Sequence, residues 1–171
     1  MIRVALDDLA FVSCDAIVRP TTARLDPTTP MVRRLEQVGG PEFLGRLRLQ
    51  KELAVGAAVV TAGGGDLPAP FVIHAVIQSD AEPVSRDGVA LAWRSALHQA
   101  REWEFASLSV PPLGIGAGNL SIEDAADVMV GGLRTHLGSA AFPVDVCFVV
   151  ETPEDREAFE AALRRGGLAA A

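Results

Sequence analysis

The chain has little with which to brace itself covalently: among its 171 residues only Cys14 and Cys147 are cysteines. Two are too few for the disulfide framework of a small secreted domain. Both stand beside strand-like apolar runs and read as reduced, buried thiols. Long apolar stretches are missing as well. No run approaches the roughly 20 residues of a membrane-spanning helix, and "MIRVALDD" lacks the basic segment, apolar core and cleavage site of a secretion signal. A cytoplasmic protein without a membrane partner is the expectation.

Positive charge is in deficit too. A net charge of −7 argues against nonspecific nucleic-acid binding, which relies on Lys and Arg to displace counterions. It leaves room for an anionic small ligand, because backbone N–H groups at a loop or helix start can hold a phosphate without net positive charge. The three histidines fall in separate elements with no H-x-x-x-H or Cys/His spacing, so neither a metal nor a cofactor is expected. A G-x-S-x-G elbow and a Walker loop are also lacking.

What is present alternates between two periods, the pattern of an α/β domain. Strands are predicted at Ile2–Leu6, Asp15–Val18, Ala57–Ala62, Phe71–Val76, Ser107–Val110 and Asp145–Glu151. Helices are predicted at Pro30–Val38, Pro41–Glu52, Gly88–Glu104, Ser121–Leu137 and Pro153–Arg165. Thr29 and Thr152 each precede a proline at the first helical position, and the Gly39-Gly40 pair separates the first two helices. With no linker or repeat, residues 1–171 read as one domain.

Two loops, Arg19–Thr29 and Pro111–Leu120, each follow a strand and precede a helix, where open α/β sheets bind ligands. "PPLGIGAGN" carries Gly114, Gly116 and Gly118, which let backbone N–H groups approach a pyrophosphate closely. By spacing alone it could equally be a flexible connection. "AGGGDLP", between two strands, reads as a hairpin turn. His74, inside "FVIHAV", reads as a hydrogen-bonded core residue. Asp7 and Asp8 suit a turn, and one of them could accept a hydrogen bond from a base amino group.

Taken together, these pieces resemble the macro domain family, whose members bind ADP-ribose on a three-layer α/β/α fold with a central mixed sheet. "DDLAFVSCDAIV" resembles the family's G-D-I-T…D-A-I-V. "GAAVVTAGGGDLPAPFVIHAV" is similar to its G-x-A-V-x-T-x-G…L-P…V-I-H-x-V. "SLSVPPLGIGAGNLSIEDAA" is similar to its phosphate loop and following helix, and "VCFVVETPEDREAFEAAL" to its last strand and helix.

The resemblance implies that Asp8 binds the adenine amino group, with Leu9 assisting through its backbone. It implies that Gly114, Ile115, Gly116, Ala117 and Gly118 surround the pyrophosphate and distal ribose. Leu120 stands where many members carry an aromatic residue over that ribose. Where the family has N-A-A-N, this chain has Arg19, Pro20, Thr21 and Thr22, so Thr22 takes the place of the ribose-contacting asparagine. The glycine run that follows in the family is replaced by "DPTTPMV".

Three readings result. The first is a domain that binds ADP-ribose, or an ADP-ribosylated protein, without efficient hydrolysis. The second is a hydrolase of ADP-ribosyl or O-acyl-ADP-ribose esters that uses Thr22 and Asp26 as catalytic candidates. In the third, Arg19 pairs with Asp8 or another carboxylate and fills the cleft; Arg19 could otherwise receive an anion.

Overall fold

Alternating apolar runs give a central sheet in the computed structural model, which describes residues 1–116 and 119–168. The strands are β1 (Ile2–Leu6), β2 (Ala16–Thr22), β3 (Ala58–Ala62), β4 (Phe71–Gln78), β5 (Ser107–Val110) and β6 (Asp145–Val150). Their order in space is β1-β6-β5-β2-β4-β3. All neighbours run parallel except β3, which is antiparallel to β4. The sheet is therefore mixed, and residues 63–70, which include the glycine cluster, form the turn of its one hairpin.

Helices cover both faces, giving the α/β/α layering. On one face α2 (Arg86–Glu102), α3 (Ile122–Leu137) and α4 (Pro153–Arg165) pack Trp93, Met129 and Phe159 against Val18, Ile73 and Phe148. On the other, α1 (Pro30–Arg48) and a single 3-10 turn, Leu9–Phe11, set Leu9, Leu35 and Phe43 against Ile17, Val72 and Val149. Each fully buried aliphatic or aromatic side chain of this kind contributes about 1.5–3 kcal/mol. The N-terminal hydroxyls work as expected: Thr29, Ser121 and Thr152 accept from the N–H three residues on. Gly40, at φ 79° and ψ −174°, kinks α1 where the sequence breaks it into two helices. No helix among the described residues is long and apolar enough to cross a membrane.

One boundary differs in a way that matters. β2 does not stop at Val18 but continues through Arg19, Pro20 and Thr21 to Thr22, paired with β4 and with a register shift between Thr21 and Thr22. Proline normally breaks a central strand because it lacks an N–H. Here β5 pairs with β2 only at Ala16 and Ile17, so at Pro20 the strand has a neighbour on one side only. The missing donor leaves no ladder bond unmade.

Candidate functional site

Because β1, β6, β5 and β2 are parallel, their carboxyl ends lie along one edge in that order. The loops after them bring together Asp8, then Glu151 and Asp155, then Gly114–Gly116, then the segment after Thr22. A pocket of about 30 Å³ lies among Pro20, Thr29, Met31, Pro111, Ile115 and Asp155, with Pro112 and Glu151 completing its wall. Pockets that bury a small molecule commonly measure roughly 300–1,000 Å³, far more than this one. A larger groove of about 950 Å³ lies between α2 and α3 and includes none of these loop residues.

Two loops flank the pocket and differ in what they do with their N–H groups. After β5, Gly114 and Gly116 adopt φ 83° and 132°, values that L side chains rarely reach. The turn is closed from the far side: Leu120 N–H donates to Gly114 O at 2.9 Å and Asn119 N–H to Gly116 O at 3.1 Å. Among the described residues, none accepts from the N–H groups of Gly114, Ile115 or Gly116. These donors are the raw material of an anion cradle. Ala117 and Gly118 lie outside the described residues.

The segment after β2 does the opposite. Thr22 N–H donates to Asp26 O, Ala23 N–H to Gln78 O and Leu25 N–H to Thr22 O. The Arg24 and Asp26 N–H groups both donate to Thr22 Oγ1, at 3.3 and 3.1 Å. From Thr22 to Asp26 every N–H is thus consumed within the fold, and Pro27, bridged to Thr21, has none. Thr22 and Asp26 do share a separate pocket of about 130 Å³, with Glu52, Gln78 and Asp80. They line this pocket rather than the one at Ile115.

Arg19 holds this turn from below. Its side chain points toward α1 and is fully buried. Nη2 donates to Leu25 O at 2.7 Å, Nε to His74 Nδ1 at 2.8 Å, and Nη1 meets Glu36 Oε2 at 3.4 Å. Leu25 sits at φ 64°, a left-handed conformation that costs an ordinary residue roughly 1–2 kcal/mol, and its carbonyl is the one that Arg19 secures. The Phe43 ring lies 5.9 Å from both the guanidinium and the imidazole. Arg19 therefore pairs with Glu36, not with Asp8, and it does not line the pocket at Ile115.

Protonation in this network follows from its geometry. An arginine Nε can only donate, so His74 Nδ1 is the acceptor and the proton sits on Nε2, which donates to Thr61 Oγ1 at 2.7 Å. Burial, then the Arg19 charge, hold His74 well below its ordinary 6.5. Burial lowers Arg19 to about 10, against the opposing pull of Glu36. Burial likewise raises the Glu36 carboxyl, with Arg19 opposing it.

These shifts predict a pH dependence. Unfolded His74 takes up a proton near pH 6.5 while folded His74 does not, so stability falls as pH drops through that value. Between about pH 7.5 and pH 5.5 the His74 contribution amounts to a loss of about 1.4 kcal/mol. The Glu36 carboxyl, raised by burial with Arg19 opposing, acts in the opposite sense, favouring the folded state where it takes up its proton. Urea unfolding at the two pH values measures the slope, which is expected to be shallower in His74→Gln.

At the far end of the edge, Asp8 is engaged through both oxygens. Oδ1 accepts from Ala10 N–H at 3.1 Å, capping the 3-10 turn, and Oδ2 accepts from Arg34 Nε at 2.8 Å. The Arg34 guanidinium also lies 5.7 Å from the Phe11 ring centroid. Leu9 is buried beneath. Leu120, half-buried, packs with the main core. The sequence reading missed Arg34, Glu36, Met31, Glu151 and Asp155, because helix periodicity marks Glu36 and Arg34 only as polar positions. Among the described residues no cluster of three or more His, Cys, Asp or Glu could hold a metal ion.

Comparison with known proteins agrees with this architecture. An uncharacterized protein of Mycobacterium tuberculosis is 31% identical over 159 residues, 93% of this chain but 44% of its own length. The chain thus spans less than half of that relative. A macro domain-containing protein of Cupriavidus necator is 27% identical over 154 residues, covering 86% of this chain and 88% of its own. Among solved structures, a mutant Oceanobacillus iheyensis macrodomain with ADPR superposes with a TM-score of 0.84 at 22% identity, over 95% of this chain and 91% of that one. A Trypanosoma brucei macrodomain in complex with ADP gives 0.83 at 20%, over 95% and 68%. The family model described as Macro domain matches residues 18–129, and the chain belongs to the macro domain family.

Proposed function

We propose that this chain binds ADP-ribose, free or attached to a protein, and does not hydrolyse its linkages efficiently. The observation that carries the reading is the contrast between the two loops. Gly114, Ile115 and Gly116 keep N–H donors for a pyrophosphate, while the Thr22–Asp26 turn spends all of its own. Solved macrodomains carrying ADPR or ADP supply the ligand class.

Hydrolysis needs a water or substrate group held against the anomeric carbon within hydrogen-bond reach of its helpers. Thr22 Oγ1 already accepts two backbone N–H groups, and its hydroxyl carries donor and acceptor on one short-reaching atom, without the separate oxygen and amino group of the family's asparagine. On this reading the site departs from its relatives at the distal ribose and keeps their phosphate cradle. Asp8 selects the base, in competition with Arg34.

Incubation with ester-linked ADP-ribosyl substrates at high protein concentration tests the catalytic half. A flat progress curve is expected, together with a rise in melting temperature on adding ADP-ribose. Turnover that Asp26→Asn abolishes while binding persists would instead establish the hydrolase.

A further inference from the structure

The base end of the site is built from two elements. Asp8 caps the 3-10 turn after β1 and Phe11 ends that turn, while Arg34 stands on α1, three residues after Met31 of the pocket wall. Positions i and i+3 lie on one face of a helix, so Arg34 continues the face that Met31 presents. Its side chain is 54% exposed and that of Asp8 36%, which leaves the pair open to a ligand.

Hydrogen-bond capacity decides what this end presents. A carboxylate only accepts and a guanidinium only donates. Asp8 Oδ1 takes Ala10 N–H and Oδ2 takes Arg34 Nε, so Arg34 holds the oxygen that the cap leaves over. The guanidinium is a rigid planar fork. With Nε on Oδ2, its two Nη amino groups stand beside that oxygen, and neither has an acceptor among the described residues. The Phe11 ring, 5.7 Å away, adds a cation–π contact that steadies the group. Where a bare Asp8 would offer an acceptor, this chain therefore also offers donors.

Purines differ at the position that such a pair reads. Adenine carries an amino donor at C6, whereas guanine and hypoxanthine carry an oxygen there, an acceptor that suits arginine. To reach the carboxylate, an adenine amino group must displace Arg34 from Asp8 Oδ2, and an exposed ion pair is weak enough to yield. A C6 oxygen accepts from an Nη group with the Asp8–Arg34 pair intact. Asp8 alone would enforce adenine; Asp8 under Arg34 does not.

We infer, resting on the proposed binding of ADP-ribose, that Arg34 sets base selectivity at this site and admits purines with an oxygen at C6 alongside adenine. The ligand class is then purine diphosphate ribose, with the hypoxanthine counterpart of ADP-ribose as its simplest second member. Arg34 donates to the C6 oxygen where there is one, and gives up Asp8 Oδ2 to the amino group where there is not.

Calorimetric titration of the whole chain with ADP-ribose and with inosine diphosphate ribose, in the wild type and in Arg34→Met, tests this. Methionine keeps an apolar stem beside Phe11 and removes the donors. The ratio of the two dissociation constants should move toward adenine by at least about tenfold, a step of about 1.4 kcal/mol. Contributions from the Leu9 N–H and from the loop after β5 are common to both proteins and cancel from that comparison. A residue that only supported the fold would change both affinities alike. A wild-type chain that binds ADP-ribose but rejects inosine diphosphate ribose, or a ratio that Arg34→Met moves by less than this, overturns the inference and leaves the ADP-ribose reading standing. Binding of neither compound removes both.

Discussion

Replacing Arg19 with methionine is expected to lower the stability of the fold by about 3–5 kcal/mol, the range for removing one partner from a buried ion pair. Methionine fills similar space beside Phe43 but leaves the Glu36 carboxylate, His74 Nδ1 and Leu25 O without their donor. For a domain of this size each kcal/mol moves the melting temperature by roughly 2–4 °C, so a fall of about 6–20 °C is expected in a thermal melt. Lysine should not rescue it, because one ammonium cannot reproduce the fixed fork of a guanidinium toward three separate acceptors. A loss below about 1 kcal/mol, the worth of a surface ion pair, would mean that the network is incidental. The same experiment bears on function. The turn from Thr22 to Asp26 should loosen once Leu25 O is released, and amide exchange at Leu25 and Asp26 should quicken.

The second large effect is expected at Gly116. Among the described residues a Cβ there would meet only Asn119 Nδ2, at 3.6 Å, so the core does not resist a side chain. The residue is exposed, but its φ of +132° is one that L side chains rarely adopt. Gly116→Val should therefore cost roughly 1–3 kcal/mol of backbone strain and turn the neighbouring N–H donors away from a pyrophosphate. ADP-ribose affinity should fall at least tenfold, equivalent to about 1.4 kcal/mol, while the protein stays folded. Gly114→Ala serves as the contrast. Its Cβ would lie 2.7 Å from Val89 Cγ2, so it should lower stability through the core as well. Unchanged affinity in a folded Gly116→Val would place the phosphates elsewhere.

Much of this molecule is legible in its sequence because periodicity and capping are local. Six strands, the break at Gly40 and the caps at Thr29, Ser121 and Thr152 follow from residues within a few positions of one another. The glycines of the loop after β5 announce positive φ by their identity. Leu25 does not: a buried leucine at φ 64° has no compositional signature, and only the long-range bond from Arg19 explains it. Arg19 and Pro20 read as the end of a strand because a charge and a missing N–H ordinarily are. Their tolerance depends on Glu36, 17 residues on, on His74, 55 residues on, and on how early β5 stops pairing. The candidate site was legible to the same degree. The glycine loop after β5 could be read directly, whereas the pairing of Asp8 with Arg34 and the self-bonded Thr22 turn required the fold.

Calorimetric titration of the wild-type chain with ADP-ribose tests the central claim most directly. The N–H groups of Gly114, Ile115 and Gly116, which meet no acceptor among the described residues, predict saturable binding at one site, with a heat signal that is diminished in Gly116→Val. Absence of heat, together with no thermal shift at millimolar ligand, would contradict the account and leave the macro fold here as a scaffold without a nucleotide site.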